Sequence, residues 1–277
     1  MATNAHAAAP HGFDAALVTR LLDDAHAAGA RVYGISGLQG SGKSTLAAQL
    51  AAAAAARGRR TVAVSLDDFY LDAPQRAALA REVHPLLATR GPPGTHDVAL
   101  ACEVLDALRE RRPVRVPRFD KLSDRRLPVA DWPQVDAADL VVFEGWCLGA
   151  TAEDTSALDA PLNRLERDED ADGRWRRHCN AALARDYPAL WRRIDRLLFL
   201  QPPGFEVVPE WRWQQEQALR ASDPGARGMD RDALARFVQH YERVSRQALR
   251  VLPARADVVV ELDRARRPVA LRLRDAR

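Results

Sequence analysis

Lysine is almost absent from this sequence of 277 residues. Of its 41 basic residues only two are lysine, Lys43 and Lys121, and all the others are arginine. A bias toward alanine and arginine runs through the chain, so a retained lysine marks a place where a compact ammonium is needed that a planar guanidinium does not replace. The two lysines are therefore candidate functional residues.

Cysteine and long apolar runs are scarce as well. The three cysteines, Cys102, Cys147 and Cys179, are odd in number, far apart and without metal-ligand spacing, which predicts free thiols in a reducing cytoplasm. No apolar run approaches the roughly 20 residues that span a bilayer. Residues 1–13 lack the basic start and apolar core of a signal peptide. We therefore expect a cytoplasmic protein that is not bound to a membrane.

Charge of one sign is not in excess either. The net charge of +3 arises from 41 basic and 38 acidic residues, and the two kinds are interspersed without a basic stripe, so we expect no nucleic-acid partner. The hydrophobic fraction of 47% is typical of globular proteins. Together with the absence of repeats, these features predict a single domain over residues 1–277.

The stretch "GLQGSGKST" matches the pattern G-x-x-x-x-G-K-[ST], between an apolar run at 32–36 and an alanine-rich helical pattern. Glycines allow backbone N–H groups to surround phosphate oxygens, Lys43 adds a positive charge, and the Ser44 hydroxyl is a ligand for Mg²⁺. We predict that this loop binds a nucleoside triphosphate. Its candidate nucleotide-binding residues are Gly37, Leu38, Gln39, Gly40, Ser41, Gly42, Lys43, Ser44 and Thr45.

Short apolar runs alternate with helical patterns along the chain. The expected strands lie at 32–36, 61–66, 140–143, 197–200 and 258–261, and the expected helices at 13–29, 43–57, 97–111, 174–185, 205–221 and 229–250. This order predicts an α/β protein with the P-loop NTPase fold, in which helices cover both faces of a mostly parallel central sheet. An insertion at about 68–138 is expected to hold a second substrate. The acidic segment 151–172 is expected to be a surface excursion.

Acidic residues follow two of the predicted strands. Asp67 and Asp68 come directly after the second strand, where a carboxylate is suited to accept a proton or to help hold Mg²⁺. We prefer Asp67 as the catalytic base, with Asp68 as the alternative. Glu144 ends the third strand, which is the place of a second acid beside Mg²⁺. A GTPase is excluded because neither lysine follows an asparagine, as the guanine-reading motif requires.

Two polar loops in the insertion, 89–97 and 116–126, combine cations and carboxylates that suit an anionic, hydroxylated small-molecule acceptor. Phe119 is the one aromatic ring other than histidine between 84 and 127, which disfavours a nucleoside. In the helical pattern at 205–221, Arg212 is a lid candidate, and the neighbouring tryptophans are expected in the core. The candidate acceptor-binding residues are Arg90, His96, Asp97, Arg118, Lys121 and Arg125.

The order of these motifs resembles the D-glycerate 3-kinases, which are related to uridine kinase, phosphoribulokinase and pantothenate kinase. The motifs are "GLQGSGKST", "SLDDFYL", "RGPPGTHD", "PRFDK", "FEGWCLG" and "WRWQQEQALR". The resemblance implies ATP and Mg²⁺ as cofactors, Asp67 as base, Asp97 as an acceptor ligand and Glu144 beside the metal. It also implies D-glycerate as the acceptor. The alternatives are a kinase of another small hydroxylated acceptor and an ATP-binding regulatory protein without kinase activity.

Overall fold

The structure of the chain, a computed structural model, describes residues 12–222 and 228–274. The helices are α1 (Ala15–Ala27), α2 (Lys43–Ala56), α3 (Ala73–Glu82), α4 (Val98–Arg109), α5 (Arg164–Glu169), α6 (Arg174–Arg185), α7 (Tyr187–Trp191), α8 (Val208–Ser222) and α9 (Arg231–Arg255). The strands are β1 (Val32–Gly37), β2 (Thr61–Ser65), β3 (Val114–Arg115), β4 (Phe119–Asp120), β5 (Arg125–Arg126), β6 (Gln134–Val135), β7 (Leu140–Gly145), β8 (Arg196–Gln201), β9 (Val258–Leu262) and β10 (Pro268–Leu273).

Six strands form the central sheet, in the order β10-β9-β8-β1-β7-β2. Five of them run parallel, and β10 pairs antiparallel with β9 at one edge. The first strand, β1, lies between β7 and β8 rather than beside β2. In parallel sheets a crevice opens outside the carboxyl end of a strand where the chain order reverses in this way. The segment after β1 and the segments after β2 and β7 therefore meet at one edge.

Apolar cores cover both faces of this sheet, which is why its strands read as continuous apolar runs. On β1, the side chains of Tyr33 and Ile35 pack in a core with residues of α1 and α2. Val32 packs in a second core with residues of α4, α7 and α9. The helices predicted on both faces are thus present, and the predicted mostly parallel sheet is confirmed.

The five predicted strands are present, each within a few residues of its expected bounds. The edge strand β10 and the helices α3, α5 and α7 were not predicted. The expectation of a surface excursion at 151–172 is wrong in part, because Leu158, Leu165, Glu166 and Asp170 are buried although most of the segment is exposed. Buried carboxylates explain the difference: Glu166 accepts from the Arg243 guanidinium at 2.6 Å, a pairing with α9 that composition does not reveal.

The insertion between β2 and β7 contains α3, α4 and two short antiparallel pairs, β3 with β6 and β4 with β5. The hairpin formed by β4 and β5 has Lys121 in its turn. All three cysteines are free thiols, as predicted. Within residues 12–222 and 228–274, no helix is both long enough and apolar enough to cross a membrane.

Candidate active site

The segment from Gly37 to Gly42 joins the end of β1 to the start of α2. Gly40 and Gly42 have φ angles of 80° and 94°, in the left-handed region that favours glycine. Gly40 also lies against α8, because a Cβ atom at this position would be 2.7 Å from Cβ of Trp211. The loop therefore has the backbone that its motif predicts, with the N-terminal end of α2 directed into the crevice.

Lys43 is buried and faces the interior of this loop. Its ammonium Nζ donates to the carbonyl oxygen of Leu38 at 3.1 Å. Burial lowers the pKa of Lys43, and the nearby carboxylates of Glu144 and Asp67 oppose that shift. The Lys43 ammonium therefore lies close to the carboxylates of Glu144 and Asp67, at the place where phosphate oxygens would bind.

Glu144 lies next to the start of α2 and is 6% exposed. Its Oε1 atom accepts from the Ser44 hydroxyl at 3.0 Å and from the Ser65 hydroxyl at 2.8 Å. The other oxygen, Oε2, has no hydrogen-bond partner among the residues that the structure describes. Mg²⁺ prefers hydroxyl and carboxylate oxygens as ligands, so Ser44 and Glu144 fit this metal. Ser65 was not predicted; it is the last residue of β2, two positions before Asp67.

Asp67 and Asp68 lie in a single 3₁₀ turn, Leu66–Phe69, that follows β2. Their side chains have different partners. Asp67 accepts from Lys121 Nζ at 2.6 Å and from the Tyr70 hydroxyl at 2.6 Å. Asp68 accepts from Arg118 Nη1 at 3.1 Å and from the backbone N–H of Phe119 at 3.1 Å.

The two carboxyl groups also differ in pKa. Burial acts to raise the pKa of Asp67, but the charge and hydrogen bond of Lys121 outweigh it, and the net pKa lies below the ordinary value. Burial raises the pKa of Asp68 to about 6 in spite of the Arg118 charge. Lys43 contributes to the low pKa of Asp67. Asp67 is thus the acid nearer the phosphate loop, and it is ionised at neutral pH.

The loop 89–97 is fastened to the segment that follows the acidic pair. The backbone N–H of Asp97 donates to the carbonyl of Phe69 at 2.7 Å, and the N–H of Leu71 donates to the carbonyl of Thr95 at 2.9 Å. The Asp97 side chain caps α4 through the N–H of Leu100 at 3.1 Å. One face of the crevice is therefore built from the loop 89–97 and the segment after Asp68, which are joined by backbone hydrogen bonds.

Asp97 also accepts from Arg126 Nη1 at 3.2 Å, and Arg126 Nη2 donates to the carbonyl of Tyr70 at 2.8 Å. Of the two adjacent arginines in the loop 116–126, Arg125 rather than Arg126 was predicted to bind the acceptor. The strand β5 presents the two residues on opposite faces: Arg125 is exposed, with no side-chain partner in the described part of the chain, and Arg126 is half-buried. Nothing in the dipeptide itself indicates which of the two faces inward.

His96 is buried, and Nδ1 lies 2.6 Å from the Tyr187 hydroxyl. Burial lowers the pKa of His96 to about 4, so the imidazole is neutral at pH 7. Nε2 is buried and has no hydrogen-bond partner among the described residues.

The other predicted acceptor cations are engaged with carboxylates. Arg118 pairs with Asp68 and Lys121 with Asp67, while Arg90 forms an ion pair with Asp124. An anionic acceptor must therefore compete with these acids for the cations.

Arg212, the lid candidate, bonds within its own helix, to Gln215 Oε1 at 2.7 Å and to Glu216 Oε1 at 3.1 Å. Its Nε atom is buried without a partner among the described residues. Of the neighbouring tryptophans, Trp211 is in the core as expected, and Trp213 is partly buried.

No family model matches the chain. An uncharacterized kinase of Schizosaccharomyces pombe is 35% identical over 222 residues, which are 76% of this chain and 78% of that protein. A probable ATP-dependent kinase of Saccharomyces cerevisiae is 30% identical over 224 residues, or 74% of this chain and 73% of the relative. The structure of D-glycerate 3-kinase from Cryptococcus neoformans has the same fold. Its TM-score is 0.76 at 24% identity, over 94% of this chain and 100% of that one.

Together with the phosphate loop and the sheet order, these relatives define the chain as an ATP-dependent phosphate-loop kinase. A chloroplastic D-glycerate 3-kinase of Arabidopsis thaliana is 30% identical over 261 residues, 86% of this chain, and the chain spans about half (54%) of that protein's length. The chain belongs to the kinase family of the two fungal relatives, and it is similar to D-glycerate 3-kinase.

Proposed function

We propose that this chain transfers the γ-phosphoryl group of ATP to the 3-hydroxyl group of D-glycerate, which yields 3-phosphoglycerate. The observation that carries the proposal is the 2.6 Å contact between Lys121 Nζ and Asp67 Oδ2. Lys121 belongs to the insertion, whereas Asp67 follows β2 close to Lys43. A carboxylate at this boundary between the two sides of the crevice is placed to receive the proton of an attacking hydroxyl group.

The nucleotide side of the crevice holds the triphosphate. The backbone N–H groups of the phosphate loop and the Lys43 ammonium bind its oxygens. Ser44 and Glu144 are the residues that would hold Mg²⁺, which when bound neutralises charge on the phosphates. Because the transferred group needs positioning and charge neutralisation rather than a covalent enzyme intermediate, these contacts are the main contribution of this side.

On the acceptor side, Asp67 orients the 3-hydroxyl group and takes its proton. The carboxylate of D-glycerate competes with Asp67 for Lys121, so acceptor binding draws this cation away from the base. Asp68 has a positioning role, because it holds Arg118 and the start of β4 through Phe119.

The composition of this side favours a small hydroxy acid. Its carboxylate needs cations, and its second hydroxyl group needs an acceptor such as Asp97 or Asp120. A nucleoside is disfavoured because Phe119 is 2% exposed, with the Arg90 guanidinium 5.7 Å from its ring centre, and so offers no free face for a base. The proposed acceptor-binding residues are Arg90, His96, Asp97, Arg118, Lys121 and Arg125.

A comparison of acceptors tests this function. At saturating ATP and Mg²⁺, we expect D-glycerate to give a higher kcat/KM than ribulose 5-phosphate, uridine or pantothenate, with ADP release far above the rate without acceptor. The matched control is the Lys43→Ala variant purified in the same way, which should release no ADP above background. A higher kcat/KM for any of the other three acceptors would contradict D-glycerate as the substrate. Acceptor-independent ADP release would contradict phosphoryl transfer altogether.

A further inference from the structure

The turn between β9 and β10, residues 263–267, reaches back to the phosphate loop. Arg266 Nε donates to the carbonyl oxygen of Gly40 at 2.8 Å, across 226 positions of sequence. Its Nη2 atom donates to Gln214 Oε1 at 2.7 Å and to the Trp211 carbonyl at 3.3 Å. One guanidinium therefore links the loop, the turn and helix α8.

Trp211 completes this junction. Its ring lies under the Arg266 guanidinium, 5.2 Å from Cζ to the ring centre, and its indole N–H donates to the carbonyl of Arg264 at 2.9 Å. The indole is 1% exposed, and its Cβ atom packs against Gly40 so closely that a side chain at Gly40 would clash with it. The three segments thus form one packed unit rather than a loose surface contact.

Arg266 differs from its neighbours in charge pairing. Arg264 and Arg267 each form an ion pair, with Glu206 at 3.7 Å and Asp263 at 2.8 Å. Arg266 has no carboxylate within ion-pair distance in the described residues, although burial lowers its pKa and Glu210 acts in the opposite direction. Its positive charge beside the phosphate loop is therefore not neutralised by a neighbouring acid.

The backbone of Arg266 is also unusual. Its φ angle is 64°, in the left-handed region, where a residue other than glycine is disfavoured. Such a conformation persists only where surrounding contacts hold it, and it is often associated with function. Here the contacts that hold it are those to Gly40, Gln214 and Trp211.

We propose that Arg266 is a nucleotide-positioning residue of this kinase. In a trans peptide the carbonyl and the following N–H point in opposite directions. By holding the Gly40 carbonyl outward, Arg266 turns the N–H of Ser41 toward the loop interior, where it donates to the Leu38 carbonyl at 3.2 Å until a phosphate oxygen takes the place of that carbonyl. The preformed loop and the uncompensated charge then both favour binding of a polyphosphate. This role rests on the proposed binding of ATP by the phosphate loop and does not depend on which acceptor is used.

The Arg266→Gly variant separates this role from a structural one, because glycine adopts a φ angle of 64° without strain. We expect its dissociation constant for ADP, measured by isothermal titration calorimetry, to rise about tenfold, as is typical for the loss of a charge-assisted hydrogen bond. The KM for ATP should rise in parallel, while kcat and the KM for the acceptor stay within about twofold. Arg266→Lys should show a smaller loss, since it keeps the charge but not the planar donor geometry.

The matched control is Arg264→Ala, which removes the same charge from the same turn but leaves the Gly40 contact in place. It should bind ADP like the wild type. Unchanged ADP binding in Arg266→Gly, or an equal loss in Arg264→Ala, would overturn the role of Arg266. Failure of the wild-type chain to bind ADP would instead contradict the nucleotide site itself, and with it the proposed function.

Discussion

Two adjacent aspartates show how strongly one position along the chain changes the chemistry of a residue. Asp67 accepts hydrogen bonds from an ammonium and a phenol, and its pKa lies below the ordinary value. Asp68 accepts hydrogen bonds from a guanidinium and a backbone N–H, and burial raises its pKa to about 6. The sequence motif leaves the choice of base between them open. Proximity to Lys43 favours Asp67, because the base must stand where the phosphoryl group is transferred.

The Asp67→Asn variant tests this assignment. We expect kcat to fall by about a hundredfold or more, the range for a lost general base, with little change in the dissociation constant for ADP. Steady-state kinetics and calorimetric titration measure the two quantities. If kcat stays near the wild-type value, Asp67 is not the base.

The raised pKa of Asp68 predicts a pH-dependent effect on stability. A carboxyl group whose pKa is higher in the folded state than in the unfolded state destabilises the fold when it is ionised, so its contribution becomes unfavourable as the pH rises from about 4 to about 6 and stays constant at higher pH. Asp68→Asn should therefore raise the melting temperature at pH 8 by about 2–6 °C. This gain should shrink as the pH falls below 6. Thermal unfolding at several pH values checks this, and a gain that is the same at pH 5 and pH 8 would rule out the raised pKa.

At the scale of elements, the β4–β5 hairpin brings side chains of the insertion into contact with Asp67 and Asp68. Its turn contains Lys121, which contacts Asp67, and Arg118 just before β4 contacts Asp68. The hairpin is short, its turn is exposed, and its two strands pair with each other rather than with the central sheet. Its cations pair with Asp67 and Asp68, while the phosphate loop is built by separate segments.

Lys121→Arg tests whether the ammonium itself is needed. The guanidinium keeps the charge but is larger and planar, and it does not reproduce a point contact with one carboxylate oxygen. We expect the KM for D-glycerate to rise about tenfold, with the KM for ATP and the melting temperature unchanged. The control is Arg112→Lys, at an exposed arginine that pairs with Glu110 rather than with Asp67 or Asp68; it should leave all three values as they are. Wild-type kinetics in Lys121→Arg would mean that this lysine is a chance survivor of the arginine bias.

At the scale of the whole molecule, sequence patterns locate what is local and miss what depends on distant contacts. The strands and the phosphate loop follow from apolar runs and from a motif within nine residues, because both are determined by nearby residues. The contact between Ser65 and Glu144 joins residues 79 positions apart, and the contact between Arg266 and Gly40 joins residues 226 positions apart. Which side of β5 faces inward likewise depends on packing against distant residues. The antiparallel β10 was not predicted; its side chains are mostly exposed, so its place at the sheet edge depends on pairing with β9 rather than on burial.

The product of the reaction tests the central claim most directly. The wild-type chain would be incubated with D-glycerate, ATP and Mg²⁺, and the phosphorylated product identified by ³¹P and ¹³C nuclear magnetic resonance. Transfer to the 3-hydroxyl group predicts 3-phosphoglycerate in an amount equal to the ADP formed. Formation of 2-phosphoglycerate, or of ADP and inorganic phosphate without a phosphoglycerate, would contradict it.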